Sequence, residues 1–424
     1  MNLDLQCYNL GIVGAIVAPV SVAREYWVRP TSAASPQAGT LNLPTQPHLA
    51  RAPRLGTRAL ELPSDLSFRN RDPWAALISG RWEWTPRQYA VAILLTNLIL
   101  NILIATSLNA FVTRAARPGL LQDPTSILVD FLLMPAVGAF YLWSILVIPA
   151  LLRQLYGQNF LTDNEGVDEI VRDLSRRLYA GWALIASAVI AVIVMLLFIG
   201  SYRGWYPWPQ LPSFFNHSLV FTWLKAPMWF LTIYTLCFGL FNVGSTILGL
   251  RSIFREQSLN ISPWHPDRCG GLKSVSTYSM TLGYSIAVVG LTLSVQTIQE
   301  IQRGTFGTSY LTWLGLGAYL IFAPLIFFLP LGTAHAAMTK AKNTQLLQLS
   351  QQFDTQYQRI SEALRLGDVD YSGNVTRIET LQKLYMITEQ FTIWPFDTVN
   401  LRRFLTITLV PLLPAVGSIA LELF

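Results

Sequence analysis

Apolar and polar positions alternate along this chain on a long wavelength. Seven predominantly apolar runs, about 88–111, 126–152, 179–201, 218–250, 276–299, 309–334 and 401–422, are separated by polar segments. Each is long enough to cross the ~30 Å hydrocarbon core of a bilayer as a helix rising ~1.5 Å per residue. A water-soluble core would break into shorter pieces with polar faces, so the pattern predicts an all-α polytopic transmembrane helical bundle of seven spans. The fourth run is longer than the membrane is thick. It must tilt, kink near Pro227 or project beyond the bilayer, and Arg251 and Arg255, following at helical spacing, favour projection.

Composition supports this reading. Of 424 residues 52% are hydrophobic and 13% charged, about half the charge usual in soluble domains. In a soluble chain a net charge of +6 would point to a polyanion; here the position of the charges gives it another meaning. Twenty-five of the 30 lysines and arginines fall on segments 1–87, 153–178, 251–275 and 335–403. Arg114, Arg117, Arg203 and Arg303 fall on the alternate segments and Lys225 within a span. Basic loops stay in the cytoplasm, so the N-terminus is expected inside and the C-terminus outside, in a bilayer and with no nucleic-acid partner. Cys7, Cys237 and Cys269 are too few and too scattered for a disulfide framework.

Four regions follow. Residues 1–73 read as a flexible tail, with six prolines between Arg29 and Pro63. Its apolar stretch 8–23 is short for a span, and Asp4 sits where a secretory signal carries positive charge. Residues 74–334 form a six-span bundle entered through Trp74, Trp82 and Trp84, indoles suited to the headgroup region. Residues 335–400 predict a cytoplasmic helical hairpin. Leu346, Leu349, Phe353, Tyr357, Ile360 and Leu364 step by three and four, and a second apolar stripe of Ile378, Leu381, Leu384 and Tyr385 follows. Residues 401–424 hold the last span, and Arg402 and Arg403 pin its start inside. The loop 201–217, rich in aromatics and proline, reads as an interfacial girdle or a lid over an apolar ligand.

Polar side chains inside spans are costly, so their positions carry information. Asn97 and Asn101 share a face of the first span. Thr281, Ser285, Thr292, Gln296 and Gln299 make one stripe on the fifth, suited to interhelical hydrogen bonds or to the wall of a polar path. Asp130 and Lys225 fall at similar depth in the second and fourth spans, where they can pair between helices or snorkel to the interface. Pro324, Pro330, Pro411 and Pro414 free carbonyls that other groups must satisfy.

Two loops carry candidate chemistry. Around His265, Pro266, Asp267, Arg268, Gly270 and Gly271 the residue types suit either acid–base work or a rigid elbow that returns the chain to the membrane. With no nucleophile and no zinc spacing nearby, the elbow is favoured and an enzyme is not the leading class. The tripeptide His265-Pro266-Asp267 matches a J-domain signature but lacks that domain's soluble hairpin. At 368–379 the sequence resembles an EF-hand calcium loop, with Asp368, Asp370, Ser372, Asn374 and Glu379 as ligands and Gly373 at the sharp turn. Tyr371, Gly367 and Thr380 depart from that pattern, and no second hand is present. The alternative is an acidic helical-hairpin turn with no cofactor.

Trp394-Pro395-Phe396-Asp397 precedes the last span as an interfacial anchor and stiff turn. Together, His-Pro-Asp-x-x-Gly-Gly-Leu at 265–272 and Trp-Pro-Phe-Asp at 394–397 make the chain, over 88–422, similar to uncharacterised bacterial multi-pass membrane proteins. The resemblance implies a bacterial inner-membrane location and no particular activity. Three functions fit: a channel- or transporter-like bundle regulated by its hairpin, a membrane-anchored sensor or assembly scaffold, and an enzyme on a lipid-linked substrate. Homo-oligomerisation, or a cytoplasmic protein docked on 335–400, suits the second. A reporter enzyme active only outside the cytoplasm should work when fused after Phe424 and be silent when fused within 335–400; the opposite pattern overturns the orientation.

Overall fold

In the computed structural model, residues 72–112, 119–157, 181–202, 219–256, 269–306, 310–366, 372–395 and 398–423 are described below. They are helical with short connections, and contain seven helices long and apolar enough to cross a membrane. The first is α1 (Pro86–Leu108). The second, α2, runs as Pro124–Leu128, a π-helical turn Val129–Leu133, and Met134–Gly157. Then come α3 (Gly181–Tyr202), α4 (Leu219–Glu256), α5 (Lys273–Gln302), α6 (Tyr310–Leu366), α7 (Ser372–Gln390) and α8 (Thr398–Leu409). A 3-10 turn at Val410–Leu412 joins α8 to α9 (Leu413–Leu423), with Pro411 at its start.

Local chemistry sets these ends. Thr85 caps α1 by accepting from the Gln88 backbone while the Gln88 side chain accepts from the Thr85 backbone, and Pro86 occupies the first turn, where a missing N–H does no harm. Gly270 and Gly271 adopt φ of +63° and +95°, which side chains other than glycine rarely adopt, and deliver a fully buried Leu272 to the start of α5. This is the part of the expected elbow within the described residues; His265, Pro266, Asp267 and Arg268 lie outside them.

α2, α4, α5 and α6 form the centre, with α1 against α2, α3 against α4, and α8 and α9 along α5. Lipid-facing surfaces are apolar, as on α1 (Val91, Leu95, Ile99) and α3 (Ile185, Val189, Ile193). Phe404 of α8 stacks on Phe327 of α6 with centroids 3.7 Å apart. The bundle also reaches back before residue 74. Asp72 is fully buried and caps a short helix Pro73–Ala75 that leads into a π-helix, Ala76–Arg81, with Ile78 and Ser79 buried.

The long sixth run and the first hairpin helix are one element. α6 holds 57 residues without a break despite Pro324 and Pro330, about 85 Å if straight. It leaves the bundle and pairs with α7, which returns beside it. Near the level where the hairpin meets the bundle, His335 stacks on Trp394 with centroids 4.0 Å apart and Lys342 donates to the Phe391 carbonyl at 3.1 Å.

Glycine at 290 lets α5 and α6 approach closely. A Cβ there would lie 2.6 Å from Tyr319 Cζ, and the Tyr319 hydroxyl donates to the Thr408 carbonyl at 3.1 Å, joining α6 to α8. Gly290→Val should therefore lower the melting temperature of the detergent-purified protein, with a loss of about 1–3 kcal/mol typical of overpacking. Gly244→Ala, where nothing lies within 4 Å and alanine favours the helix, should leave it unchanged or raise it slightly. Equal melting of the two variants would contradict this account.

Candidate functional site

The densest polar cluster lies between α1, α2 and α4. Asp130 sits in the π-helical turn of α2, and the sequence explains the turn. Pro135 has no N–H to give the Phe131 carbonyl, and the Met134 N–H reaches back to Val129. The Asp130 carbonyl is thereby left without its helical donor. Asn97 of α1 supplies one at 2.9 Å, and the same amide nitrogen lies 3.4 Å from Met134 Sδ. Asn101, one turn along α1, donates to Asp130 Oδ2 at 2.9 Å. Lys225 of α4 donates to the same oxygen at 2.6 Å. All four side chains are buried, Asp130 at 3% and Lys225 at 2% exposed.

The helix starts explain why these residues meet. Asp130 lies about 9 Å along α2, Lys225 about 9 Å along α4, and Asn101 about 10 Å before the end of α1. All three distances run from the membrane face opposite the hairpin. Removing two charges from water is expensive, and their attraction offsets that only when geometry and hydrogen bonding are good. Here the two contacts to Asp130 Oδ2 are short, while the Asn101 Oδ1 is left buried without a hydrogen-bond partner.

A second buried carboxylate lies toward the hairpin side. Asp72 Oδ1 accepts from the Trp74 backbone at 3.0 Å and from the Tyr234 hydroxyl at 3.3 Å, and Oδ2 accepts from the Tyr141 hydroxyl. The Trp74 indole N–H donates to the Tyr89 hydroxyl at 2.8 Å. A segment preceding the first span is thus fastened to α1, α2 and α4. Burial lifts the Asp72 carboxyl above its ordinary value of 3.8, against the opposing hydrogen bonds from Tyr141, Trp74 and Tyr234. Asp130, Met134, Val137 and Tyr141 recur at four, three and four residues, so both acidic sites address one face of α2 about 16 Å apart. Asp130 lies inside one π-helical turn, and a second, Ala76–Arg81, follows Asp72 after the short helix Pro73–Ala75.

The expected polar stripe of α5 does not join Asn97 and Asn101. Thr281, Ser285 and Thr292 donate to carbonyls one turn back on their own helix. Gln296 instead joins Glu300 and Thr312 near the face opposite the hairpin. Ser372, Asn374 and Glu379 lie along the first turns of α7, while Asp368 and Asp370 fall outside the described residues. An EF-hand loop would need those turns to open, since its ligands converge from a non-helical segment. Among the described residues, no group of three or more His, Cys, Asp or Glu is placed to hold a metal.

Sequence reasoning passed over two site residues. Glu300 continues the α5 stripe one turn beyond Gln296, a signal that was available. Asp72 carried a weaker one: an aspartate followed by proline, as at a helix start.

Two measurements follow. Asp130→Asn or Lys225→Met alone leaves an unpaired buried group and should destabilise the purified protein by about 3–5 kcal/mol. The double variant should recover much of that loss, and additive losses would show that the pair is not coupled. For Asp72, a raised folded pKa means the fold holds the extra proton. Its contribution is complete below 3.8 and is lost as pH rises through the raised value. Melting temperature should fall over that window in the wild type and be flatter in Asp72→Asn.

No protein-family model, curated protein or solved structure matches this chain.

Proposed function

We propose that this integral membrane protein is channel- or transporter-like, with protons moved or coupled along the face shared by α1, α2 and α4. The observation that carries this is the buried Asp130–Lys225 pair, 2.6 Å between partners and hydrogen-bonded by Asn101. Ionisable side chains held inside a membrane bundle are costly and mark ion pathways and proton relays more often than architecture. Asp72, with Tyr141 and Tyr234, provides a second protonatable station on the same face of α2. Met134 and Val137, both buried between the stations, act as the apolar gate in this reading. The π-helical turns at Asp130 and after Asp72 give the helices a place to rewind, as such turns do at many functional sites.

A second reading, a membrane-anchored sensor or assembly scaffold, rests on the hairpin. Leu347 and Tyr357 of α6 are 61% and 62% exposed, and Leu384 and Ile387 of α7 are exposed as well. A soluble helical pair normally buries such residues, so a docked cytoplasmic protein or a second copy would cover them in this reading.

Purified protein in liposomes containing a pH-sensitive dye separates the two. Under an imposed potential, wild-type vesicles should acidify or alkalinise at least tenfold faster than empty ones. The stable Asp130→Asn/Lys225→Met double variant should return to the empty-vesicle rate. Wild-type vesicles as tight as empty ones, under either sign of potential, would overturn the transport reading.

A further inference from the structure

The four central helices border an apolar cavity of about 340 Å³, at the small end of the ~300–1,000 Å³ usual for small-molecule sites. Among its described lining residues only Ser285 and Tyr319 carry polar side-chain atoms. Both hydroxyls already donate, to the Thr281 and Thr408 carbonyls, each at 3.1 Å. The walls therefore offer an occupant neither a charge nor a free donor, and spaces of that kind stay dry. Leu240 of α4 and Phe322 of α6 line the cavity and are 43% and 55% exposed on the lipid-facing surface, so it opens to the hydrocarbon.

The α2 wall of the cavity is Leu133, Ala136, Val137 and Phe140. Two of these residues belong to features already described. Leu133 is the last residue of the π-helical turn that carries Asp130. Val137 is the buried residue between the two carboxylate stations, on the face of α2 that runs Asp130, Met134, Val137, Tyr141. The cavity thus meets the winding defect of α2 at one residue and its charged face at another.

We propose that the cavity takes one acyl chain of a phospholipid from the surrounding bilayer, and that this chain holds α2 in its present winding with the gate at Val137 shut. Unfilled, the walls would forfeit dispersion contacts on one side. The space is about twice the ~150 Å³ that takes up benzene in an apolar core, and acyl chains are the molecules at its mouth. A polar head finds no partner on these walls, so it stays at the interface and only the chain enters. Once in place, the chain packs on Leu133 and Val137 and denies both side chains the room that rewinding of α2 would need. Its withdrawal returns that room. Occupancy by the chain stands whether or not the protein moves protons; closure of the gate rests on the transport reading above.

The test uses the full chain in phosphatidylcholine nanodiscs containing a phosphatidylcholine with a diazirine in mid-chain. Val137 and Phe140 are 5% and 9% exposed, so photolabelling there reports a chain inside the bundle, whereas labelling of the outward faces of α1 and α3 reports lipid around it. Both should be seen. Ala318→Phe, which fills the cavity, should lower labelling of Val137 and Phe140 at least tenfold and leave α1 and α3 unchanged. If that variant does not purify as a single species, Ala136→Leu is read in its place. Backbone hydrogen exchange over residues 130–137 should slow at least threefold in the filled variant, a readout that needs no transport. In liposomes the same variant should slow proton flux at least fivefold. Labelling confined to outward faces would mean a lipid annulus only and overturn the proposal. Unchanged exchange, or unchanged flux where the wild type conducts, would overturn the hold on α2. A wild type that does not conduct removes the gate together with the transport reading, while labelling and exchange still decide whether a chain enters and braces the helix.

Discussion

A bilayer offers no water to an unpaired polar group, and most of what distinguishes this bundle follows from that. An aspartate two turns into α2 must find its partners inside the protein. It does so by drawing α1 and α4 to one place: two amides from one neighbour and an ammonium from the other meet at a single residue. The aspartate's own carbonyl is available to Asn97 only because Pro135 prevents the ordinary helical ladder. A helix defect and a charge pair are thus parts of one device. Remove the proline and the amide loses its target; remove the amide and the defect is left unsatisfied.

The sequence made the span pattern plain because hydrophobic length is a local property that survives any packing arrangement. Depth was legible for the same reason: counting from helix starts places Asp130 and Lys225 level. What could not be read was which faces meet. Thr281, Ser285 and Thr292 formed a stripe as regular as any interhelical seam, yet a threonine or serine in a helix can satisfy itself on the preceding turn, and these do. Asn97 and Asn101 have no such option, since a carboxamide needs several partners, and they reached across to α2. The hydroxyl stripe therefore carried less information than the two asparagines. Asp72 was hidden for another reason. It follows a tail with no periodicity, and only the tertiary structure shows that the bundle reclaims the chain before its first span.

Polar clusters and an apolar cavity adjoin one another within the core. One face of α2 carries the two carboxylate stations, with Lys225 and the tyrosines around them. The central helices border an apolar cavity, whose α2 wall includes Val137 of that same face, and there Ser285 turns its hydroxyl to its own helix and Tyr319 sends its own to the Thr408 carbonyl.

The unbroken α6 has a mechanical implication. Its membrane part is held by Phe404, Tyr319 and the close approach at Gly290, while the rest of it extends about 65 Å from mid-membrane to Leu366. A stiff rod of that length amplifies angles: a tilt of about 5° within the bilayer sweeps the tip through roughly 5–6 Å, the width of a side chain. With α7 bound along it, and His335 and Lys342 fastening the returning chain at its base, rotation at the core becomes displacement at the hairpin tip. Repacking in the membrane too small to change the bundle's outline would in this way be registered far outside it.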